Sequence, residues 1–188
     1  MQTAQIKIPA ELFALAESSH FEGVLDADTL SAGPDEYRLS DGIAWSVDVT
    51  NTGEALLVEG SAKTVATTAC SRCFEDVTYD LDGDVEGYFL IEPSANDEES
   101  DEEEDFDAEE FDVLPESHII DLEPLIMAGL LMDVPNMPLC RDDCKGLCPR
   151  CGANLNDGPC GCDPAADDKL FEEAKNPFSV LKDFKFDN

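Results

Sequence analysis

The sequence predicts an α+β protein in which an antiparallel β-rich domain is followed by one helix and a C-terminal cysteine-rich segment. Three features predict this class: apolar residues alternate with polar ones over residues 42–91, one run near residues 121–133 has helical periodicity, and eight cysteines form close pairs. We predict a β-rich domain over residues 1–92 and an acidic insert over 93–117. A helix, the cysteine segment and a tail then occupy 118–188 and pack on the β domain.

Three strands are predicted from the alternation. From Gly42 to Thr50 apolar residues occupy every second position, as in a half-buried strand. A second extended run covers residues 56–69, where Gly60 is a natural place for a bulge, and a third covers 77–91, with a break expected at Gly83. The runs are joined by short turns, so they are expected to form an antiparallel β meander.

The acidic insert is predicted from its composition. Residues 97–112 hold 12 carboxylates in 16 positions and no lysine or arginine. Such a segment buries too little apolar area to offset the chain entropy that is lost on folding. We therefore expect residues 92–116 to be largely disordered.

One helix is predicted after the insert. Asp121 is suited to the N-cap position, and Pro135 and Pro138 end the helix after Asp133. One helical face carries apolar or small residues, namely Leu122, Leu125, Ile126, Gly129 and Leu130. The simplest interpretation of this face is packing against a core.

The eight cysteines have the spacing of metal ligands. Cys70 and Cys73 form a pair at the predicted tip of a hairpin, and six more follow the helix at Cys140, Cys144, Cys148, Cys151, Cys160 and Cys162. A short Cys-x2-Cys turn brings two thiolates to one ion, and four thiolates complete the tetrahedron that zinc prefers. The chain therefore offers one or two structural Zn²⁺ sites, and two are favoured because no cysteine is then left over.

Two partitions of these ligands are open at the level of sequence. The segment Cys148-Pro149-Arg150-Cys151-Gly152 is typical of a zinc knuckle, in which the glycine permits a left-handed conformation. In one partition this pair joins Cys160 and Cys162, while Cys70, Cys73, Cys140 and Cys144 clamp the hairpin to the C-terminal segment. In the other, Cys140, Cys144, Cys148 and Cys151 share one ion and the two remaining pairs share another.

Catalytic interpretations of the cysteines are disfavoured. A redox dithiol of the thioredoxin type opens a helix, whereas extended sequence flanks Cys70 and Cys73 on both sides. A catalytic zinc keeps an open position, which four cysteine ligands would close. His20 and His118 are far from the cysteines in sequence and are expected to be surface or packing residues. The sequence has no nucleophile motif and no phosphate-binding glycine loop, so we expect neither enzymatic activity nor a small-molecule substrate.

The sequence also predicts a cytoplasmic location. Residues 1–10 lack the basic and apolar regions of a secretory signal. The most apolar segment, 122–134, is shorter than the ~20 residues that cross a bilayer. We expect no membrane role, and in a reducing cytosol cysteine pairs bind metal more often than they form disulfides.

The cysteine motifs resemble those of one known family. The segment Cys70-Ser71-Arg72-Cys73-Phe74-Glu75, the tripeptide Ile120-Asp121-Leu122 and the Cys-x3-Cys-x-Gly-Leu-Cys-Pro-x-Cys-Gly pattern from Cys140 are similar to the YceD family of bacterial and plastid proteins. The resemblance spans Gly42 to Cys162. It implies a β-rich N-terminal part and a role in accumulation of the large-subunit (23S) ribosomal RNA, and hence in ribosome biogenesis. The acidic insert departs from the family pattern.

The charge of the chain bears on its partner. Acidic residues number 44 against 11 basic ones, for a formal net charge of −33. No lysine or arginine lies between Cys73 and Cys140 to neutralise phosphates, and only Arg141, Lys145 and Arg150 offer cations in the cysteine segment. Direct RNA contact is therefore expected to be weak, and a basic ribosomal protein or a large-subunit precursor is the expected partner. The alternative is a generic zinc-stabilised interaction module with no ribosomal client.

Overall fold

The computed structural model describes residues 4–91 and 112–162, and the chain divides into two units. The first unit consists of Met1–Cys70 and Glu75–Cys140, and the second of Ser71–Phe74 and Arg141–Asn188. Most of the predicted acidic insert and the whole tail after Cys162 lie outside the described residues.

The predicted β meander forms the centre of the first unit. Its strands are β5 (Ile43–Asn51), β6 (Ala55–Ala69) and β7 (Asp76–Leu90). Strand β6 is antiparallel to both neighbours and pairs with β7 over its full length. Alternate side chains of these strands enter the core, including the buried Trp45, Val58 and Val85.

Two glycines in the meander have a different role from the predicted one. The register runs without interruption through Gly60, which pairs with Val47 and Val85, and β7 continues through Gly83. The predicted bulge and break were therefore wrong. A Cβ atom at Gly60 would meet the Ser46 carbonyl oxygen, and one at Gly83 would meet the backbone of Gly129. These glycines permit close approach of neighbouring backbones.

Further strands extend the sheet on both sides. The added strands are β2 (Ser18–Leu25), β3 (Thr29–Ala32) and β4 (Asp35–Leu39), and the order is β2-β5-β6-β4-β3. Strands β5 and β4 pair with successive parts of one edge of β6, and β7 pairs with the other edge. Strand β8 (Asp112–Val113) pairs in parallel with the end of β7. The prediction of disorder was therefore wrong for the end of the insert: it pairs with β7, and Leu114 is buried and donates its N–H to the Leu90 carbonyl (2.8 Å).

A short ladder and one helix complete the first unit. Strands β1 (Gln5–Lys7) and β9 (Ile119–Asp121) pair, and a 3-10 helix spans Ala10–Phe13. Helix α1 (Glu123–Asp133) follows and buries Ile126 and Leu130, as the sequence predicts. Leu122 holds the N-cap position, while the predicted cap, Asp121, accepts a hydrogen bond from the Glu123 N–H (3.0 Å). The helix therefore begins one residue later than expected.

Both histidines are surface or packing residues, which confirms the prediction. His20 Nδ1 lies 2.9 Å from Asp48 Oδ1, and the His118 ring packs on Phe13 with ring centroids 4.9 Å apart. Within the described ranges, no helix has the length and apolar character needed to cross a membrane.

Candidate metal centres

The second Cys-x2-Cys pair lies in a tight turn of the second unit. The Cys148 N–H donates to the Ala153 carbonyl (2.8 Å), and the Gly152 N–H donates to the Cys148 carbonyl (2.9 Å). Gly152 has a φ of +70°, the left-handed conformation predicted for it. These bonds fold the backbone so that both thiols of the pair face the same volume.

The first pair lies in a similar turn between β6 and β7. The Cys70 N–H donates to the Glu75 carbonyl (2.8 Å) and Phe74 has a φ of +61°. Cys70 directly follows β6 and Cys73 precedes β7, so the predicted hairpin tip is present. Both cysteines are buried.

The structure collects the eight cysteines into two groups of four. Among the described residues, the sulfur atoms of Cys70, Cys73, Cys140 and Cys144 lie within 4.8 Å of one another, and so do those of Cys148, Cys151, Cys160 and Cys162. All eight are free cysteines rather than disulfides. This grouping is the first of the two partitions left open by the sequence.

The geometry and chemistry of each group suit a metal ion. Four sulfurs around a tetrahedral zinc at ~2.3 Å lie roughly 3.8 Å apart, which is compatible with the separations in both groups. A donor set of four thiolates favours soft or borderline metals over Mg²⁺ or Ca²⁺. Each group could therefore hold one metal ion with every coordination position filled by protein.

Hydrogen bonds from neighbouring residues support Cys144. The side-chain amide of Asn156 donates to the Cys144 Sγ (3.3 Å), and its oxygen accepts from the Lys145 N–H (2.8 Å). The Arg72 guanidinium donates to the Cys144 carbonyl (2.9 Å). Donors of this kind stabilise a thiolate and fix the position of the ligand.

A second contact positions the segment that leads to Cys140. The Tyr79 hydroxyl on β7 both donates to the Leu139 carbonyl and accepts from the Leu139 N–H. Neither Tyr79 nor Asn156 was predicted from the sequence as part of a site. Tyr79 has the appearance of an ordinary strand residue, and Asn156 that of a turn residue, so only the folded structure reveals these contacts.

The four cysteines Cys148, Cys151, Cys160 and Cys162, called the Cys148 group below, differ in their tendency to ionise. Backbone N–H groups of Cys151 and then Arg150 lower the pKa of Cys148 to about 6. Thiol hydrogen bonds with Cys151 and then Cys160 raise the pKa of Cys162 to about 12. Without a cation, the neighbours therefore favour the thiolate form of Cys148 and the thiol form of Cys162. A bound cation would favour the thiolate form of its ligands.

Fold and site together define an antiparallel β-sheet protein with two groups of four cysteines, each of which could bind a metal ion. The family model described as "Large ribosomal RNA subunit accumulation protein YceD" matches residues 58–185, more than half of the sequence. The chain therefore belongs to the YceD family, which confirms the resemblance in its cysteine motifs.

Relatives are found in bacteria and in a plant. Uncharacterized proteins of Mycobacterium tuberculosis and Mycobacterium bovis are each 29% identical over 151 residues, which is 80% of this chain and 67% of theirs. The chloroplastic YCED homolog 1 of Arabidopsis thaliana, named as a large ribosomal RNA subunit accumulation protein, is 29% identical over 143 residues. That match covers 66% of this chain and 44% of the plant protein, so the chain spans less than half of its length. No solved structure matches this chain.

Proposed function

We propose that this protein is a ribosome biogenesis factor that supports accumulation of the large-subunit (23S) ribosomal RNA by engaging a basic ribosomal protein, free or within a precursor particle. Membership of the YceD family supports the first part of the proposal. A row of carboxylates on β7, next to a groove along helix α1, supports the second.

The carboxylate row follows from the alternation of β7. Exposed acidic residues of even number share one face of the strand: Asp76, Asp80, Asp82, Asp84 and Glu86. Lys63 pairs with Asp82 (2.7 Å) and Arg38 pairs with Asp76 (3.0 Å). The other three carboxylates of the row form no ion pair with a described residue. The row thus presents negative charge that a basic partner can neutralise.

The groove has the composition that basic side chains require. Asp82, Asp84, Glu86 and Asp133 contribute carboxylates to its lining, and Leu125 and Met132 contribute apolar surface. Lysine and arginine have apolar stems and charged heads, so they can cover the apolar part while pairing with the acids.

The rest of the first unit adds to the negative electrostatic potential of this surface. In its described part, Lys7, Arg38 and Lys63 are the only lysine or arginine residues. The field of such a surface steers basic partners toward it and repels the phosphates of RNA. A ribosomal protein therefore suits this surface better than RNA does.

We further propose that each cysteine group holds one structural Zn²⁺ ion and that the protein acts in the cytoplasm without catalysing a reaction. Zinc bound by four thiolates has no open position for a substrate or water. Bound zinc would supply a fixed crosslink between its ligands, while Asn156 and Tyr79 hold the surrounding backbone.

Binding to purified large-subunit ribosomal proteins at two salt concentrations tests the partner. We expect at least one salt-sensitive complex, because the proposed contacts are exposed ion pairs. The double variant D84N/E86Q is expected to weaken it. The control variant E11Q/E17Q removes the same charge from exposed positions off the row and is expected to bind like the wild type.

Depletion in cells tests the biological role. We expect fewer large-subunit particles and less 23S ribosomal RNA. Normal particles and normal ribosomal RNA would contradict the proposed function and favour an interaction module without a ribosomal client. Absence of any salt-sensitive complex would contradict the proposed partner.

A further inference from the structure

The two Cys-x2-Cys turns share two backbone features but have different residues at the left-handed position. Each is closed by a 2.8 Å hydrogen bond from the first cysteine N–H to the carbonyl five residues later. Each also has a left-handed residue directly after the second cysteine, Phe74 at φ +61° in one turn and Gly152 at φ +70° in the other. The turn that contains Gly152 can therefore be compared directly with the turn that contains Phe74.

Glycine is the residue that the turn favours. A Cβ atom is crowded in the left-handed region, and a bulky residue there is an outlier that tends to mark a functional position. Core packing does not explain Phe74, because its side chain is 69% exposed. Phe74 therefore introduces strain and presents an aromatic ring to solvent.

Cations lie in the same unit as this ring. The Arg72 guanidinium donates to the Cys144 carbonyl (2.9 Å), and the Leu147 N–H donates to the Arg72 carbonyl (3.1 Å), so the backbone that carries Lys145 is close to the turn of Phe74. Lys145 is exposed and forms no ion pair with a described residue. The described part of this unit has four basic residues, Arg72, Arg141, Lys145 and Arg150, against three acidic ones, Asp142, Asp143 and Asp157.

We infer that Phe74 is a stacking platform for an unpaired base of single-stranded RNA, with the exposed Lys145 of the same unit as the cation for an adjoining phosphate. Exposed aromatic rings beside cations are the usual elements of single-strand binding, since every base has a face that can stack. A basic protein would instead be repelled by these cations. The inference rests on the proposed function only for the source of the RNA.

Other charges limit this contact to a few nucleotides. Screening confines electrostatic effects to about 8 Å at physiological salt, so the cations attract only the phosphates next to the ring. A four-thiolate metal group is itself an anion. The expected contact is therefore short, weak and dependent on salt.

Fluorescence anisotropy with a labelled single-stranded oligoadenylate, using the full zinc-loaded chain at low salt, tests the inference. We expect the wild type to bind this strand and to bind an RNA duplex of equal length less well. The variant F74G, which adopts the residue of the second turn, is expected to weaken binding roughly 5- to 150-fold. Its zinc content and thermal midpoint are expected to stay at or above wild-type values, because strain is relieved.

Two substitutions of the same ring separate stacking from simple apolar contact. F74W retains an aromatic face and is expected to bind at least as tightly as the wild type. F74L retains apolar area without that face and is expected to bind as weakly as F74G. K145A is expected to reduce the slope of log K against log salt by about 1. The control L15A removes an apolar side chain that is 72% exposed in the first unit and is expected to change nothing.

Several results would overturn the inference. These are no binding by the wild type, equal binding by F74G, or equal binding by F74L and F74W. If F74G lost zinc, the comparison between F74L and F74W would still decide the question. Complex formation with a basic ribosomal protein is measured separately on F74G, so loss of RNA binding with that complex intact leaves the proposed partner standing.

Discussion

The hydroxyl of Tyr79 donates a hydrogen bond to the Leu139 carbonyl (3.1 Å) and accepts one from the Leu139 N–H (2.8 Å). Tyr79 lies on β7, and Leu139 directly precedes Cys140. One side chain thus satisfies both backbone groups of the residue next to a candidate metal ligand. The position of Cys140 therefore depends on a residue that precedes it by about 60 positions.

Tyr79→Phe removes both hydrogen bonds and leaves the ring in place. The two Leu139 backbone groups lose their partner, which is expected to lower the free energy of unfolding by about 1–3 kcal/mol. Thermal unfolding measures this, and competition with a chromophoric chelator measures zinc retention. The group of Cys70, Cys73, Cys140 and Cys144, called the Cys70 group, is expected to release zinc more readily. The Cys148 group serves as the internal control. Equal loss from both groups would contradict a local role.

Asn156→Asp replaces the amide that donates to the Cys144 Sγ with a carboxylate of the same shape. A negative charge beside a thiolate, together with loss of the N–H···S bond, is expected to weaken zinc binding in the Cys70 group about 10- to 100-fold. Asn136→Asp adds the same charge at an exposed position outside the cysteine segment and is the matched control. The expectation fails if both variants hold zinc equally well.

Metal analysis is expected to give two zinc ions per chain. Cys73→Ser and Cys151→Ser are each expected to reduce the number to one, because each removes a ligand from a different group. Chelation is expected to unfold residues 140–162, which form a segment too short to have much core of its own. Hydrogen exchange measures this, and unchanged protection after metal removal would contradict it.

The pKa values predict how the metal-free Cys148 group titrates. Because N–H donors favour the charged form, Cys148 is expected to become a thiolate as pH rises through about 6. Cys162 is expected to stay protonated until about pH 12. Ultraviolet thiolate absorbance measures both transitions, and Cys148→Ser is expected to abolish the lower one. In the loaded protein, acidification is expected to release metal, because protons compete for the thiolates.

Gly129→Ala tests the close contact between α1 and β7. Alanine favours a helix by up to about 1 kcal/mol, but its Cβ would meet the Asp84 carbonyl oxygen, and such overpacking typically costs about 1–3 kcal/mol. We therefore expect a lower midpoint in denaturant unfolding. Ala128→Gly, on the exposed side of the same helix, gives the propensity effect alone. A more stable Gly129→Ala variant would show that the helix can shift without loss.

Much of the architecture can be predicted from sequence where one simple period dominates. The alternation in β5, β6 and β7 and the apolar face of α1 each indicate an element by local pattern alone. Strands β2, β3 and β4 were not predicted, because their sequences alternate weakly and pairing with β5 and β6 stabilises them. Gly60 and Gly83 were misassigned for a related reason, since a glycine that permits close packing looks in sequence like one that breaks a strand.

The sequence by itself determined three properties of this protein: its candidate metal ligands, which are eight cysteines in close pairs, its strongly acidic composition and the motifs of its family. These depend on residue identity and on spacings of a few residues, which local chain geometry constrains. The tertiary structure alone decided which pairs form a group, because sulfurs distant in sequence meet only through the paths of the strands and turns between them. It also revealed the contacts of Tyr79 and Asn156 and the left-handed backbone of Phe74, since a hydrogen-bond partner, a contact to sulfur and a positive φ arise only once the chain is folded.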